Sequence, residues 1–198
     1  MLKVILIYLL AYLAGSVNFA VLFFKLAGRE DPRSSFSGNA GTTNVYRQAG
    51  MLWALLILTL DIGRAIAVAA VARHCIAAEG GWLIWTGFFL ILGNSFPCFH
   101  GFRGGKGVAS YLGFTALIVP CAALLAAMAW VLVYGVIRIP FVASFFMVAV
   151  LSIGQSRAFQ WATVAIAAAA ATFVLIIFNH RFNIRQYLKD RRFHAKEQ

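Results

Sequence analysis

Charge is what this chain has least of. Charged residues make up 12% of its 198 positions, and only six are acidic against seventeen Lys and Arg. Soluble domains carry about 25% charged residues, so this composition excludes an ordinary water-soluble domain. Cysteine is equally sparse. Cys75, Cys98 and Cys121 show no CxxC or other metal-ligand spacing, and an odd count in apolar surroundings speaks for packing residues, with no disulfide implied and no metal expected. No stretch is left over for a separate soluble domain, so residues 1–198 read as a single polytopic membrane domain.

What is present is apolar, with 62% hydrophobic residues and a mean hydropathy of +0.84. Apolar segments fall near 2–26, 51–72, 82–99, 107–119, 120–137, 140–154 and 158–178, and their length and Ala/Leu content predict helices. The expectation is an all-α integral membrane protein with seven transmembrane helices. The fourth and sixth are short for a bilayer that needs about 20 residues and are expected to tilt little, to be partly re-entrant or to borrow loop residues. Pro120 and Pro140 mark helix starts. The first segment has no cationic flank beyond Lys3 and is too long for a signal sequence, so it reads as a retained span.

A net charge of +11 and a pI near 10.2 would suggest nucleic acid in a soluble protein. Here the cations sit between and after the apolar segments, and orientation accounts for them without a nucleic-acid partner. With the N-terminus outside and the C-terminus cytoplasmic, the inner segments hold Lys25, Arg29, Arg33, Arg47, Arg103, Lys106, Arg138, Arg181, Arg185, Lys189, Arg191, Arg192 and Lys196. Lys3, Arg73 and Arg157 fall outside, and Arg64 lies in a span. This is the sorting of the positive-inside rule.

Three polar constellations then share the cytoplasmic face. The first is SSFSGNAGTTNVYR, Ser34 to Arg47. Ser37, Gly38, Asn39, Gly41, Thr42, Thr43 and Asn44 supply hydroxyl, amide and backbone donors, and Arg47 a bidentate fork suited to phosphate. The second is FRGGKGVAS, Phe102 to Ser110, where Gly104, Gly105, Lys106 and Gly107 precede a helix whose free N–H groups and positive dipole end attract an anion. It does not fit GxxxxGK[ST], because His100 and Gly107 stand at the required Gly and Ser/Thr. The third is NHRFNIRQYLKDRR, Asn179 to Arg192. Its later cations suit an anionic lipid surface, whereas His180 and Asn183, three apart, share a helix face suited to orienting or deprotonating a substrate hydroxyl.

Within the spans, Asp61 and Arg64 are spaced to pair on one helix face, as a structural ion pair or as part of a functional interior. Ser144 suits helix packing or a substrate contact.

In this order, these constellations resemble the bacterial PlsY family of acyl phosphate-dependent glycerol-3-phosphate acyltransferases. The similarity is carried by AGSVNFA at 14–20, DPRSSFSGNAGTTNVYRQAG at 31–50, GNSFPCFHGFRGGKGVAS at 93–110 and NHRFNI at 179–184. It implies a multi-pass enzyme of the bacterial inner membrane, with its active site on the cytoplasmic face. That enzyme moves a fatty acyl group from acyl phosphate to glycerol 3-phosphate, giving lysophosphatidic acid, with no cofactor, no metal and no coenzyme A donor. Carried onto this chain, the resemblance places Ser37, Arg47, Lys106, Ser144, His180 and Asn183 around the chemistry, with Gly38, Asn39, Gly41, Thr43, Asn44, Gly104, Gly105 and Gly107 binding substrate. Acyl phosphate is already activated, so direct attack by the acceptor hydroxyl is expected, with His180 or a phosphate oxygen taking the proton.

The chain departs from the family pattern. Asn94 replaces a His, Phe36 a Gly, Asn179 an Arg and Arg64 a Lys, while Phe182 and Arg192 occupy positions that are often acidic. A transporter of a phosphorylated metabolite or lipid, and a catalytically impaired relative that binds the same ligands, are the rival readings. Oligomeric state and acyl-chain preference are not encoded in any recognisable motif.

Overall fold

The computed structural model describes residues 1–76 and 81–194, with side chains to residue 191. Lys196 and the side chains of Arg192 and His194 therefore lie outside the described residues. The described chain forms ten α-helices: α1 Leu2–Ser16, α2 Phe19–Leu26, α3 Thr42–Ala49, α4 Met51–Cys75, α5 Trp82–Ser95, α6 Val108–Ile118, α7 Pro120–Ile137, α8 Pro140–Ala158, α9 Thr163–Asn179 and α10 Arg181–His194.

Five stretches are long and apolar enough to cross a membrane: Leu2–Leu26, Met51–Cys75, Trp82–His100, Pro120–Ile137 and Pro140–Ala158. A sixth arises if α9 and α10, bent by 50° at His180, count together. Seven full-length spans are thus not what length and apolarity define. The 11 residues of α6 rise only about 16 Å against a hydrocarbon core of about 30 Å. The short fourth segment keeps its expected shortness, but the sixth does not. It runs on as α8 to Ala158 because Gln155 is buried and bonded rather than marking a helix end. Conversely α9 begins at Thr163, after a turn through Phe159 to Ala162.

Small residues let the helices approach closely, as membrane packing requires. At the α1–α5 crossing a Cβ on Gly15 would stand 2.1 Å from the Leu90 carbonyl oxygen, and one on Gly93 would stand 2.0 Å from that of Tyr12. The two backbones are in direct contact. Short α6 is held by packing on α4 and by a buried polar network. Tyr111 Oη reaches Gln155 Oε1 and Ser152 Oγ, both at 3.1 Å, and Gln155 Nε2 donates to Thr115 Oγ1 at 2.8 Å. Outward-facing Leu, Val, Ile and Phe side chains on α1, α4, α7 and α9 remain exposed, the expected surface for lipid.

The break between α1 and α2 is satisfied from two sides. Asn18 Oδ1 caps α2 by accepting from the Val21 amide at 3.1 Å. Arg64 Nη1, from α4, donates to the carbonyl oxygens of Gly15 and Val17. The exposed helix-end carbonyls therefore meet a cation instead of hydrocarbon.

Candidate active site

The polar run after α2 is a pinned loop, not a slack linker. Asp31 receives the backbone N–H of Arg33 at 2.8 Å and pairs with its guanidinium, which also donates to the carbonyls of His100 (2.7 Å) and Arg103 (2.6 Å). That contact holds the Asp31 carboxyl below its usual range, mainly through the hydrogen bond from Arg33. Asn44 is buried, its Nδ2 donating to Pro32 (2.6 Å) and Ser35 (3.3 Å) carbonyls, and Gln48 Nε2 donates to Pro32 as well. The loop is thus fastened to α3 on one side and to the turn at 98–103 on the other.

The second constellation is fastened in the same way. The amides of Gly104 and Gly105 donate to the carbonyls of Ser95 (3.1 Å) and Asn94 (2.8 Å). A Cβ on Gly104 would lie 2.1 Å from the Asn94 oxygen, so these glycines serve close packing on the end of α5. Gly107 has φ +87 and opens α6. Asn179 Nδ2 donates to Ser95 Oγ at 2.7 Å and to the Lys106 carbonyl at 3.4 Å, fixing the loop to α9.

Between these loops lies a cavity of about 470 Å³. Of the residues singled out from the sequence, Ser37, Asn39, Gly41, Thr43, Arg47, Gly105, Lys106, Gly107, Ser144, His180 and Asn183 all line it. Gly38, Asn44 and Gly104 do not, and the amides of Gly104 and Gly105 are not free donors. The expectation that these glycines offer N–H groups to phosphate is corrected accordingly: the internal bonds of the loop have used them.

Free donors come instead from helix ends. Gly41 and Gly107 precede α3 and α6, neither helix has a side-chain N-cap, and Gly41 to Thr43 and Gly107 to Ser110 face the cavity. Two unsatisfied N-termini, each with its positive dipole end, thus converge on one space. Two cations join them. Among the described residues nothing engages the Arg47 guanidinium, and the Ser37 hydroxyl likewise carries no bond to the protein. Lys106 Nζ donates to Asn183 Oδ1 at 2.5 Å, and burial, reinforced by the charge of Arg47, brings its ammonium down to about 8.

His180 sits at the α9–α10 bend, only 3% exposed, with its ring edge-on to Phe145. Its Nδ1 lies 2.8 Å from the Ile176 carbonyl, which can only accept. The proton therefore resides on Nδ1, and Nε2 is left as an acceptor. Burial and the nearby Lys106 charge hold the imidazole down to about 4, so it is neutral at pH 7. Ser144 is more committed: its Oγ donates to the Pro140 carbonyl at 2.9 Å and accepts from Trp130 Nε1 at 3.3 Å.

Beyond the polar end the cavity continues between α4, α6, α7 and α8 over Leu58, Leu112, Trp130, Val131, Phe141 and Met147. Sequence reasoning did not find these residues, because an apolar side chain in a span carries no signal of what it faces. It also did not place Asp61, Asn94 and Ser110 on the cavity, where the structure has all three. The i,i+3 spacing of Asp61 and Arg64 did predict their ion pair, 3.0 Å between Oδ1 and Nη2.

A cationic, donor-rich chamber that opens into an apolar trough inside a helical membrane protein defines a class. It suits a membrane enzyme that handles phosphate groups together with a hydrophobic chain. Comparison with known proteins narrows this. Residues 5–190 match the family described as glycerol-3-phosphate acyltransferase. A glycerol-3-phosphate acyltransferase of Pseudomonas paraeruginosa is 37% identical over 196 residues, covering 96% of this chain and 98% of its own. That of Pseudomonas syringae pv. syringae is 38% identical over 187 residues, covering 93% and 94%. Crystal structures of PlsY, an integral membrane glycerol 3-phosphate acyltransferase, superpose with TM-scores of 0.87 (glycerol 3-phosphate form, 31% identity) and 0.84 (lysophosphatidic acid form, 30% identity). Each covers 95% of this chain and 93% of the solved one. The chain belongs to the glycerol-3-phosphate acyltransferase family, which decides for the acyltransferase over the carrier.

Proposed function

We propose that this protein transfers a fatty acyl group from acyl phosphate to glycerol 3-phosphate, forming lysophosphatidic acid and inorganic phosphate, at the cytoplasmic face of a bacterial inner membrane. In this reading residues 1–198 form one polytopic domain, α6 enters the bilayer as a short seventh segment, and the N-terminus lies outside. The sorting of Lys and Arg supports that orientation. The observation that carries the proposal is the convergence of two uncapped helix N-termini, Arg47 and Lys106 on a cavity that continues into an apolar trough. Both substrates bear phosphate, and the donor also bears a chain.

The acceptor hydroxyl oxygen attacks the acyl carbonyl carbon. The tetrahedral intermediate then collapses by breaking the carbon–oxygen bond to phosphate, which leaves with the bonding pair. Arg47, Lys106 and the amides opening α3 and α6 stabilise the charge on the phosphates, and Ser37 and Asn183 position them. A His180 held at about 4 is a weaker base than a phosphate oxygen, whose second pKa is about 6. This favours the leaving phosphate as the proton's destination. His180 Nε2 then serves to orient the hydroxyl. Ser144, with its proton already donated, acts at the junction of polar chamber and trough through its remaining lone pair and through Trp130.

The test is turnover. Purified protein in lipid, given glycerol 3-phosphate and palmitoyl phosphate, should release phosphate and lysophosphatidate. Parallel reactions with acyl-CoA and acyl carrier protein should give none. Absence of turnover with every donor would sink the reading, and a preference for a thioester would replace acyl phosphate as donor.

A further inference from the structure

The chamber is rich in donors, which suits phosphate, but glycerol 3-phosphate also carries hydroxyls that must donate. Two of the amide acceptors facing the cavity are taken. Asn183 Oδ1 accepts from Lys106, and Asn94 Oδ1 accepts from Arg64 Nη2 at 3.0 Å. His180 Nε2 and the amide of Asn39 remain as neutral acceptors, and the one carboxylate among the lining residues is Asp61.

Asp61 is only 9% exposed, and the part that is open faces the same cavity as Lys106 and His180. Its ion pair with Arg64 is not a hydrogen bond. The guanidinium aims its N–H groups at Asn94 Oδ1, Ser110 Oγ (3.0 Å) and the carbonyls of Gly15 and Val17. Among the described residues, no N–H or O–H meets either carboxylate oxygen of Asp61 in hydrogen-bond geometry, and the residue lines the cavity. A carboxylate this buried normally has its lone pairs satisfied, so the missing donor is expected from a ligand. Its charge also fixes which end of a ligand that is: a carboxylate repels phosphate and attracts hydroxyl.

Resting on the glycerol 3-phosphate reading above, we propose that Asp61 binds the middle hydroxyl of that substrate and thereby selects a glycerol phosphate over other alcohol phosphates. The phosphate lies toward Arg47 and Lys106, the middle hydroxyl donates to Asp61, and the terminal hydroxyl is turned toward the acyl carbonyl. Asp61 takes no proton in the reaction. Arg64 is a positioning residue, holding Asp61 in place and neutralising its charge in the bilayer.

The experiment compares kcat/KM for glycerol 3-phosphate and for 3-hydroxypropyl phosphate, which lacks only the middle hydroxyl. It uses the full chain in lipid and the variants Asp61→Asn and Asp61→Ala, both of which leave Arg64 on its four acceptors. The wild type should prefer glycerol 3-phosphate by about tenfold or more. Asp61→Asn, which keeps an oxygen but loses the charge, should narrow the preference, and Asp61→Ala should reduce it to within about twofold. Loss of rate on both substrates alike, with the preference intact, would reduce Asp61 to a support for Arg64 and overturn the proposal. A wild type that does not discriminate overturns it without any variant. Absence of wild-type turnover on glycerol 3-phosphate is a different result, since it removes the parent reading as well.

Discussion

The two walls of the cavity use their cations differently. On the loop wall, Arg47 is exposed and unengaged and Lys106 holds a single bond to Asn183. On the helix wall, Arg64 is buried and spreads its N–H groups over α1, α5 and α6 while lying against Asp61. Both walls carry a guanidinium, but one is available to a ligand and the other is part of the scaffold. A cation in a membrane protein therefore announces neither function by its type. What separates them is whether the protein has already supplied the acceptors.

The sharpest way to break this contrast is Arg64→Met. It strips four acceptors of their donor and leaves the buried Asp61 carboxylate unpaired, a change that costs about 3–5 kcal/mol when a buried pair is broken. Thermal unfolding in detergent should show a large fall in Tm. An unaltered Tm would mean the helix wall does not depend on it. Arg47→Ala should do the reverse, leaving Tm nearly unchanged while removing roughly 2–3 kcal/mol of charge-assisted phosphate binding, about a 30- to 150-fold loss in kcat/KM. Ser37→Ala should cost more than about tenfold, or 1.4 kcal/mol. Steady-state assays at varied glycerol 3-phosphate check both.

The loop wall should also titrate. With Lys106 brought down to about 8, its charge is present below that pH and lost above it, so kcat/KM should fall as pH rises through about 8. At the acid side the substrate phosphate gains a proton near its second pKa of about 6, giving a bell between the two. Lys106→Arg remains charged throughout and should flatten the alkaline limb; a limb that persists in that variant belongs to another group. The smallest effect is expected at Phe36, which has φ +54 and a side chain 66% exposed. Its backbone sits where glycine is at ease and other residues pay about 1–2 kcal/mol, which accounts for the Gly usual in the family. Phe36→Gly should relieve up to that amount in unfolding experiments and leave turnover within about twofold.

The long apolar runs made the helices legible, because a bilayer leaves little alternative for an 18-residue apolar run such as that of α7. Helix ends were less legible where polar residues continue inward. Gln155 and Ser156 read as a terminus but are buried in α8. At the site, Ser37, Arg47, Lys106, His180 and Asn183 were singled out from type and spacing and Ser144 through the family resemblance, and they do meet around one cavity. What spacing did not disclose is which groups are already engaged. Asn44 and the amides of Gly104 and Gly105 have the same donors as their neighbours, yet they hold the loops together. The substituted positions follow suit. Asn94 accepts from Arg64 and its carbonyl binds Gly105, and Asn179 ties Lys106 to Ser95, so both departures from the family pattern fall on bonds that shape the chamber.

The bond from Arg64 to the α1–α2 break has a consequence for biogenesis. Chains are made from the N-terminus forward, so the carbonyls of Gly15 and Val17 reach the membrane before the residue that satisfies them. The insertion machinery, or water drawn in around the break, must shelter them until α4 arrives. Asp61 travels in the same helix three residues ahead of Arg64 and enters with it as a neutral pair. The first two spans are thereby stitched to each other through Arg64, and the chamber is begun before His180 and Asn183 have been synthesised.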